Sequence, residues 1–454
     1  MAQASTTADG TLKLKWVLPS SQPADTSPRE QAAFHFFRTV LVQSLSGTYD
    51  SDLWIRHVLP VSVAEPVVRH AVIALGALGR RERGGAATQQ DDHFALLEYS
   101  KAMKSLHDKI AEPGQMTPAL ILTTCILFVV IEIWQGGRRQ AKSHLTSGLK
   151  IIREVQEDAS ASAASSRKSL VPLIEAFELL DIQISLNTND RVHLNRAVGL
   201  AHSTRLPEDV HFTAVPDAIC PLNVHMAAMR ELVHMVELRA FTPEGICGNE
   251  HRDFEYEQAR QLVALSSWEE AMDSLFSRLK TSREQQAARQ LQLHHLSTKL
   301  MVSMCLSNGQ ELLWDSFTAD FQRMLHLSNT LIEVAQYPDD SRFPSFSLNM
   351  GVLAPLYFLA LKCREPLIRH KALDLLSTCS HQEGVWDGPT LAPSANAIVQ
   401  LEEQNLRVDV ASDVPEVNRL YQAFFDHSIG NNIVYCKRRC FETDGRWIDY
   451  QRQA

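Results

Sequence analysis

Residues 117–155 read TPALILTTCILFVVIEIWQGGRRQAKSHLTSGLKIIREV. Between positions 119 and 134 almost every side chain is apolar, with only Thr123, Thr124 and Glu132 breaking the run. A helix that is apolar on nearly every side is buried on nearly every side. The run is too short and too interrupted for a membrane span, which needs about 20 apolar residues. Gly136 and Gly137 stop it, because glycine accepts the backbone angles of a helix end. A second helix follows, with Ala141, Leu145, Leu149 and Ile152 on one stripe and Lys142, Lys150 and Arg153 left for water. The stretch therefore predicts a buried central helix and a covering partner joined by a tight turn. Glu132 is expected to be buried within that helix, where a carboxylate must be paired, hydrogen-bonded or neutral.

Working outward, 454 residues at 45% hydrophobic are enough for a large core in two packed halves. Residues 1–28 are rich in Ala, Ser, Thr and Pro and are expected to be a disordered tail, apart from LKLKWVL around Trp16. Helical stripes then recur to about residue 405. EDASASAASSRKS (157–169) is low-complexity and predicts a flexible loop inside the fold. The prolines at 207, 216 and 221 suggest an internal boundary near 205–221. Beyond it, helices are expected near 222–240, 253–280, 283–306, 309–336, 346–361, 364–380 and 391–405. At the end, IVYCKRRCF (433–441) is strand-like, and Asp444-Gly445 is a turn signal before Trp447, which predicts a small C-terminal β-hairpin. No clean period repeats, so the fold class is all-α, an irregular multi-helix array.

Charge and cysteine usage narrow the function classes. Forty-four basic residues against 53 acidic leave a net charge of −9, whereas a whole-chain nucleic-acid binder leans basic. The eight cysteines are scattered, several within apolar helical runs, as expected for buried thiols in a reducing compartment. There is no Asn-x-Ser/Thr acceptor and no signal-peptide core in the first thirty residues, so an intracellular, soluble chain is expected.

The chemistry-bearing motifs are absent. Gly79 and Gly84 have phosphate-loop spacing, but Gly85 and Ala86 stand where Lys and Ser/Thr belong. No dinucleotide fingerprint, nucleophile elbow or zinc-protease motif occurs. His294 and His295 are adjacent, so on a helix they point about 100° apart, one buried and one exposed. Cys436 and Cys440 in a strand share a face but lie about 13 Å apart, too far for one zinc. In a helix they would supply half a tetrahedral site, with Cys379 and His381 completing it only by coincidence. The arginines at 80, 81 and 83, those at 138 and 139, and Lys437 with Arg438 and Arg439 read as solvated surface, with a nuclear import signal as the sharper alternative. The sequence thus offers no catalytic, cofactor-binding, metal-ligating or DNA-contacting residue.

Seven separated stretches together resemble one family, the fungal-specific regulatory domain of zinc-binuclear-cluster transcription factors. They are FHFFRTVLVQSLSGTYDSDLW (34–54), AEPVVRHAVIALGAL (64–78), FALLEYSKAMKSL (94–106), the central ILFVVIEIWQGGRRQAKSHLTSGLKII (126–152) and LIEAFELLDIQ (173–183). GVLAPLYFLALKCREPLIRHKALDLL (351–376) and EGVWDG (383–388) are similar to its C-terminal signature. The resemblance runs in order over residues 30–450 and makes 29–454 one regulatory domain. Such regulators hold DNA through an N-terminal module of six cysteines around two zinc ions. Here no cysteine precedes Cys125, so no such ligand set can be assembled before the domain. The resemblance therefore implies a nuclear regulator, not an enzyme, that acts without its own zinc cluster. It would work through a full-length zinc-cluster partner or the transcription machinery, as a homo- or heterodimer, or through a small-molecule effector. The alternatives are an enzyme of a fungal biosynthetic pathway without a recognisable motif, or a helical scaffold.

Overall fold

A computed structural model describes residues 2–6, 12–16, 26–47, 53–83, 89–111, 116–158, 161–188, 210–240, 248–336, 346–426, 433–440 and 446–453. It divides into two compact units, residues 1–41 with 57–112 and residues 42–56 with 113–454. Of the boundary expected near 205–221, residues 205–209 lie outside the described ones, and 210–221 fall within the second unit.

In the first unit, strands β1 (Ala2–Thr6) and β2 (Leu12–Trp16) pair antiparallel, with Ala2 opposite Trp16. Helix α1 (Pro28–Phe36) starts at a capping box, in which Ser27 and Glu30 each satisfy the other's backbone N–H. It runs through a π turn, Phe37–Leu41, into the short α2 (Val42–Ser46), which belongs to the second unit. Helices α3 (Leu59–Ala64), α4 (Pro66–Arg83) and α5 (Gln89–Ile110) complete the first unit. Positions 71–79 of α4 are buried without a break. A Cβ at Gly76 would lie 2.1 Å from the Ala33 carbonyl oxygen, so this glycine is what allows α1 to sit on α4.

The main run of the second unit, from Pro113, starts with the apolar stretch and its glycine turn. Helix α6 (Pro118–Trp134) is buried along its length, and the hydroxyls of Thr123 and Thr124 donate to the carbonyls of Ala119 and Leu120 one turn back. That removes the cost of burying two polar groups. Gly136 turns the chain at φ +78° into α7 (Arg138–Glu157), whose apolar stripe is buried as expected. Glu132 corrects an expectation: it is half-buried, with its carboxylate lying over Gly137, where a Cβ would come within 2.3 Å. Helix α8 (Ala161–Thr188) packs on α7, and Gly148 admits the ring of Phe177. Most of the segment expected as a loop at 157–169 is therefore helix: its alanines have high helix propensity, and only residues 159–160 lie outside the described chain.

Helices α9 (Ile219–Ala240), α10 (Asn249–Phe276) and α11 (Ser282–Met304) pack on one another, and α11 also meets α12 (Thr318–Gln336) and α13 (Leu353–Lys362). With neighbours around it, α11 buries both His294 and His295, so the expected exposed member of the pair does not exist. A 3-10 turn, Glu311–Phe317, precedes α12, and a strand, β3 (Phe346–Ser347), replaces the expected start of the helix at 346. Then come α14 (Pro366–Thr378), strands β4 (Gln382–Glu383) and β5 (Trp386–Asp387), and α15 (Gly388–Glu403). Strand β3 runs parallel to β4, and β4 antiparallel to β5. The chain closes on three antiparallel strands, β6 (Gln422–Asp426), β7 (Ile433–Cys440) and β8 (Arg446–Gln453). The expected hairpin is the β7–β8 pair, while its Asp444-Gly445 turn lies outside the described residues. Its third strand was not foreseen. The bulk is all-α, as the periodicity predicts.

Among the described residues no single helix is long and apolar enough to cross a membrane. The segments Leu53–Ala64 and Pro66–Arg81 reach that length only together, and they are bent by 119°.

Candidate functional site

The second unit encloses a cavity of about 220 Å³. Helix α11 presents His294, Ser297, Thr298 and Met301 to it, a spacing that is one face of a helix. Helix α13 faces it with Ala354, Tyr357, Phe358 and Leu361, and α15 with Leu391, Ser394 and Ile398. Met226 and Met229 of α9 and Met350 just before α13 add three more methionines to Met301. Thioether side chains are flexible and polarizable, so such a lining adapts to the shape of an occupant.

Most polar groups on this wall are already satisfied. The hydroxyls of Ser297, Thr298 and Ser394 donate to carbonyls four residues back in their own helices, at 2.9, 2.8 and 2.7 Å. His294 Nε2 lies 3.1 Å from the Met350 carbonyl oxygen, which requires the proton on Nε2, and burial holds the imidazole pKa below its ordinary value. Lys362 Nζ contacts both Glu311 carboxylate oxygens at 2.9 Å and the Tyr421 carbonyl oxygen at 2.8 Å. Burial raises the Tyr421 phenol pKa well above its ordinary range, so it stays neutral, with its hydroxyl 3.4 Å from Glu237.

Two groups remain. The indole N–H of Trp386, in a residue 5% exposed, is buried with no hydrogen-bond partner among the described residues. The indole of Trp268, by contrast, donates to the Ala218 carbonyl oxygen at 3.1 Å. Arg138, the first residue of α7, is exposed and donates to Asn187 Oδ1 at 3.5 Å. Protein still crowds the guanidinium enough to lower its pKa, against the opposing pull of Asp387 and Tyr357.

The walls are held by residues of the sequence signatures. Glu383 accepts backbone N–H bonds from Gly351, Val352 and Leu353 at 2.8–3.0 Å, which caps α13, and lies 2.9 Å from His381 Nε2. Gln183 donates to the Leu348 carbonyl at 2.8 Å and accepts from the Val385 N–H at 3.3 Å. The LKCREPLIRH run supplies a buried ion network: Arg364 pairs with Glu311 at 2.9 Å and with Glu402 at 2.7 Å, and Arg369 pairs with Glu402 and Glu403. Burial would raise the Glu402 pKa, but Arg364 and Arg369 outweigh it and hold it down to about 2. The motifs that look most family-specific thus act as structural staples around the cavity.

The remaining candidates from the sequence do not converge. Cys436 and Cys440 both lie in β7, opposite Tyr450 and Arg446, in the strand arrangement that separates them. Gly79 is within α4, and Gly84 lies outside the described residues. Arg81 pairs with Asp92 at 2.5 Å. Cys379 and His381 sit near Glu383, where burial pushes the Cys379 thiol up to about 12 and His381 is bonded to the carboxylate. In the first unit, Glu30, His70 and Glu98 bring potential metal ligands together. The Lys101 ammonium already bridges the two carboxylates at 3.0 and 2.5 Å, so the cluster is an ion pair network and not an open coordination site. The cavity itself was missed from sequence. Its lining is drawn from segments up to 285 positions apart, from Arg138 to Ala423, and the methionines fit a core equally well.

Residues 33–207 match the family model described as the fungal specific transcription factor domain. A search of curated proteins finds the aspercryptin biosynthesis cluster-specific transcription regulator atnN of Emericella nidulans. It is 21% identical over 475 aligned residues, covering 84% of this chain and 76% of that protein. It also finds the transcription regulator lscL of Purpureocillium lilacinum, 28% identical over 135 residues, covering 27% of this chain and 32% of that protein. No solved structure matches. The family match stops at residue 207, so of the cavity it includes Arg138, Leu186 and Asn187 while the other walls lie beyond it. Residues 33–207 of this chain are thus similar to the fungal specific transcription factor domain, and the two relatives are transcription regulators by name.

Proposed function

We propose that this chain is a nuclear transcription regulator, not an enzyme, whose action on its partners is set by a small molecule held in the cavity of the second unit. The family match supports transcription regulation, and the observation that carries the effector is the cavity with its adaptable lining of Met226, Met229, Met301 and Met350. The partner is a protein: a full-length zinc-cluster regulator or a component of the transcription machinery. The names of the two relatives, one a cluster-specific regulator, support control of a biosynthetic gene set.

The test measures transcripts in a deletion strain together with binding of the purified chain to duplex promoter fragments at physiological salt. Changed expression of a defined gene set, recovery of a transcriptional protein in a pull-down, and no preference for one fragment over scrambled DNA are expected. Residual DNA binding should fall steeply with salt, as electrostatic binding does. Nanomolar preference for one fragment would overturn action through partners, and unchanged transcripts would overturn the regulatory reading.

A further inference from the structure

We infer that the cavity takes a small uncharged molecule that is apolar over most of its surface; this deepens the proposed effector site and rests on it. The charges of the lining point this way first. No aspartate or glutamate lines the cavity, although the chain carries 53 acidic residues, so a cationic ligand meets no counter-charge there. The two lining cations are already satisfied. An ammonium has three protons to donate, and that of Lys362 meets both Glu311 carboxylate oxygens and the Tyr421 carbonyl oxygen at 2.8–2.9 Å. Arg138 is exposed, so water already solvates its charge, and it donates to Asn187. Among the described residues, then, the lining keeps no buried cation in reserve for an anion.

The uncharged polar groups are largely spent as well. Ser297, Thr298 and Ser394 give their hydroxyl protons to carbonyls of their own helices, Thr390 donates to Asp387, and Gln422 donates to Glu237. His294 is bonded to the Met350 carbonyl oxygen, and the Trp386 indole N–H is itself buried, so it meets no occupant. An ion leaving water needs a partner charge or hydrogen bonds to replace its hydration, and these walls supply neither. A hydroxyl that has given its proton keeps a lone pair, so one neutral O–H or N–H is the most that the lining still matches. The remaining surface is apolar, with the four methionine thioethers free to follow the occupant's outline. An apolar cavity of about 150 Å³ holds benzene. At the same ratio, about 220 Å³ has room for roughly nine carbon-sized atoms, one ring with a short chain.

The discriminating experiment titrates the full chain at neutral pH with phenylethanol, phenylacetate and phenethylammonium, which share one ring and chain and carry a neutral, an anionic and a cationic head. With the methionine methyls labelled with carbon-13, the NMR signals of Met226, Met229, Met301 and Met350 localise binding to the cavity. Phenylethanol is expected to shift these signals and to bind at least about tenfold more tightly than either ion. Ala354→Leu, which narrows the cavity from α13, should abolish the shifts with circular dichroism unaltered. Ser297→Leu narrows it from α11 and gives the same outcome if the first variant does not fold, since the Ser297 hydroxyl bonds only within its own helix. Either ion binding as tightly as the alcohol overturns the uncharged assignment while leaving an effector site standing. Shifts that survive a folded cavity-narrowing variant overturn the placement of the ligand in the cavity. No shift with any of the three overturns the assignment, and if transcripts are also unchanged by Ala354→Leu the effector reading falls with it.

Discussion

Single positions around the cavity carry constraints that their side chains do not advertise. Gly384 sits at φ +53°, its N–H donates to the Ser347 carbonyl at 2.7 Å, and an added Cβ would lie 1.7 Å from Gln183 Oε1. A left-handed backbone costs a non-glycine residue about 1–2 kcal/mol, and here the clash adds to it. Gly384→Ala is therefore expected to destabilise the chain by at least about 2 kcal/mol in denaturant unfolding. A change of only about 1 kcal/mol would mean that Gln183 swings away freely and the backbone cost alone remains. The same scale explains the two histidines of α11. His295 stacks on Trp268 at 4.8 Å and bonds the Leu265 carbonyl oxygen at 2.8 Å, while His294 turns to Met350. Each imidazole is buried because each has a hydrogen-bond partner on its own side of the helix.

At the scale of elements, one carboxylate organises the start of α13. The first N–H groups of a helix have no partner within it, and Glu383 meets three N–H groups at that end from a neighbouring hairpin. Burial works to raise its pKa, and the His381 contact together with those N–H groups overcomes it, leaving the pKa below the ordinary value. Glu383→Ala should cost about 3 kcal/mol, because it takes the acceptor away from three buried backbone N–H groups. Glu383→Gln should cost less, since an amide oxygen still accepts. Urea midpoints of the two variants check the order, and equal losses would show that packing rather than capping holds α13 in place.

For the molecule as a whole, the buried ion network makes stability depend on acid. Glu402 has an ordinary value of 4.5 and is held at about 2 in the folded chain. A depressed carboxylate contributes stability that is fully present above the unfolded value and is lost as pH falls through the folded value. The chain is therefore expected to lose stability between pH 4.5 and about 2, and Glu402→Gln should flatten that part of the profile while lowering stability at pH 7. A slope unchanged by the substitution would move the acid sensitivity elsewhere. Zinc gives a second whole-molecule prediction. Burial pushes the thiols of Cys125 and Cys363 to about 11 and those of Cys305 and Cys379 to about 12. Thiols held protonated are poor ligands, so the purified chain should keep its helical circular dichroism in excess chelator and carry no stoichiometric zinc by metal analysis. One or two tightly bound ions per chain would contradict this and direct attention to Cys436 and Cys440.

The sequence by itself determined the helical character, the buried α6 with its amphipathic partner, the glycine turn between them and the likeness of residues 33–207 to the family model. These are local properties: periodicity, capping and glycine placement act over a few residues and survive without knowledge of what packs on them. Helix formation across 161–169 was misread, because low complexity looks like a loop until the apolar run of α8 extends back through its alanines. The half-burial of Glu132, the burial of both histidines and the pairing of Glu311 with Lys362 and Arg364 were decided by the tertiary structure. So was the cavity. Its lining runs from Arg138 to Ala423, although Arg138 itself is exposed, as the reading of Arg138 and Arg139 as surface expects. Only packing shows which side chains share a cavity, because that is a property of neighbours in space and not of neighbours in the chain.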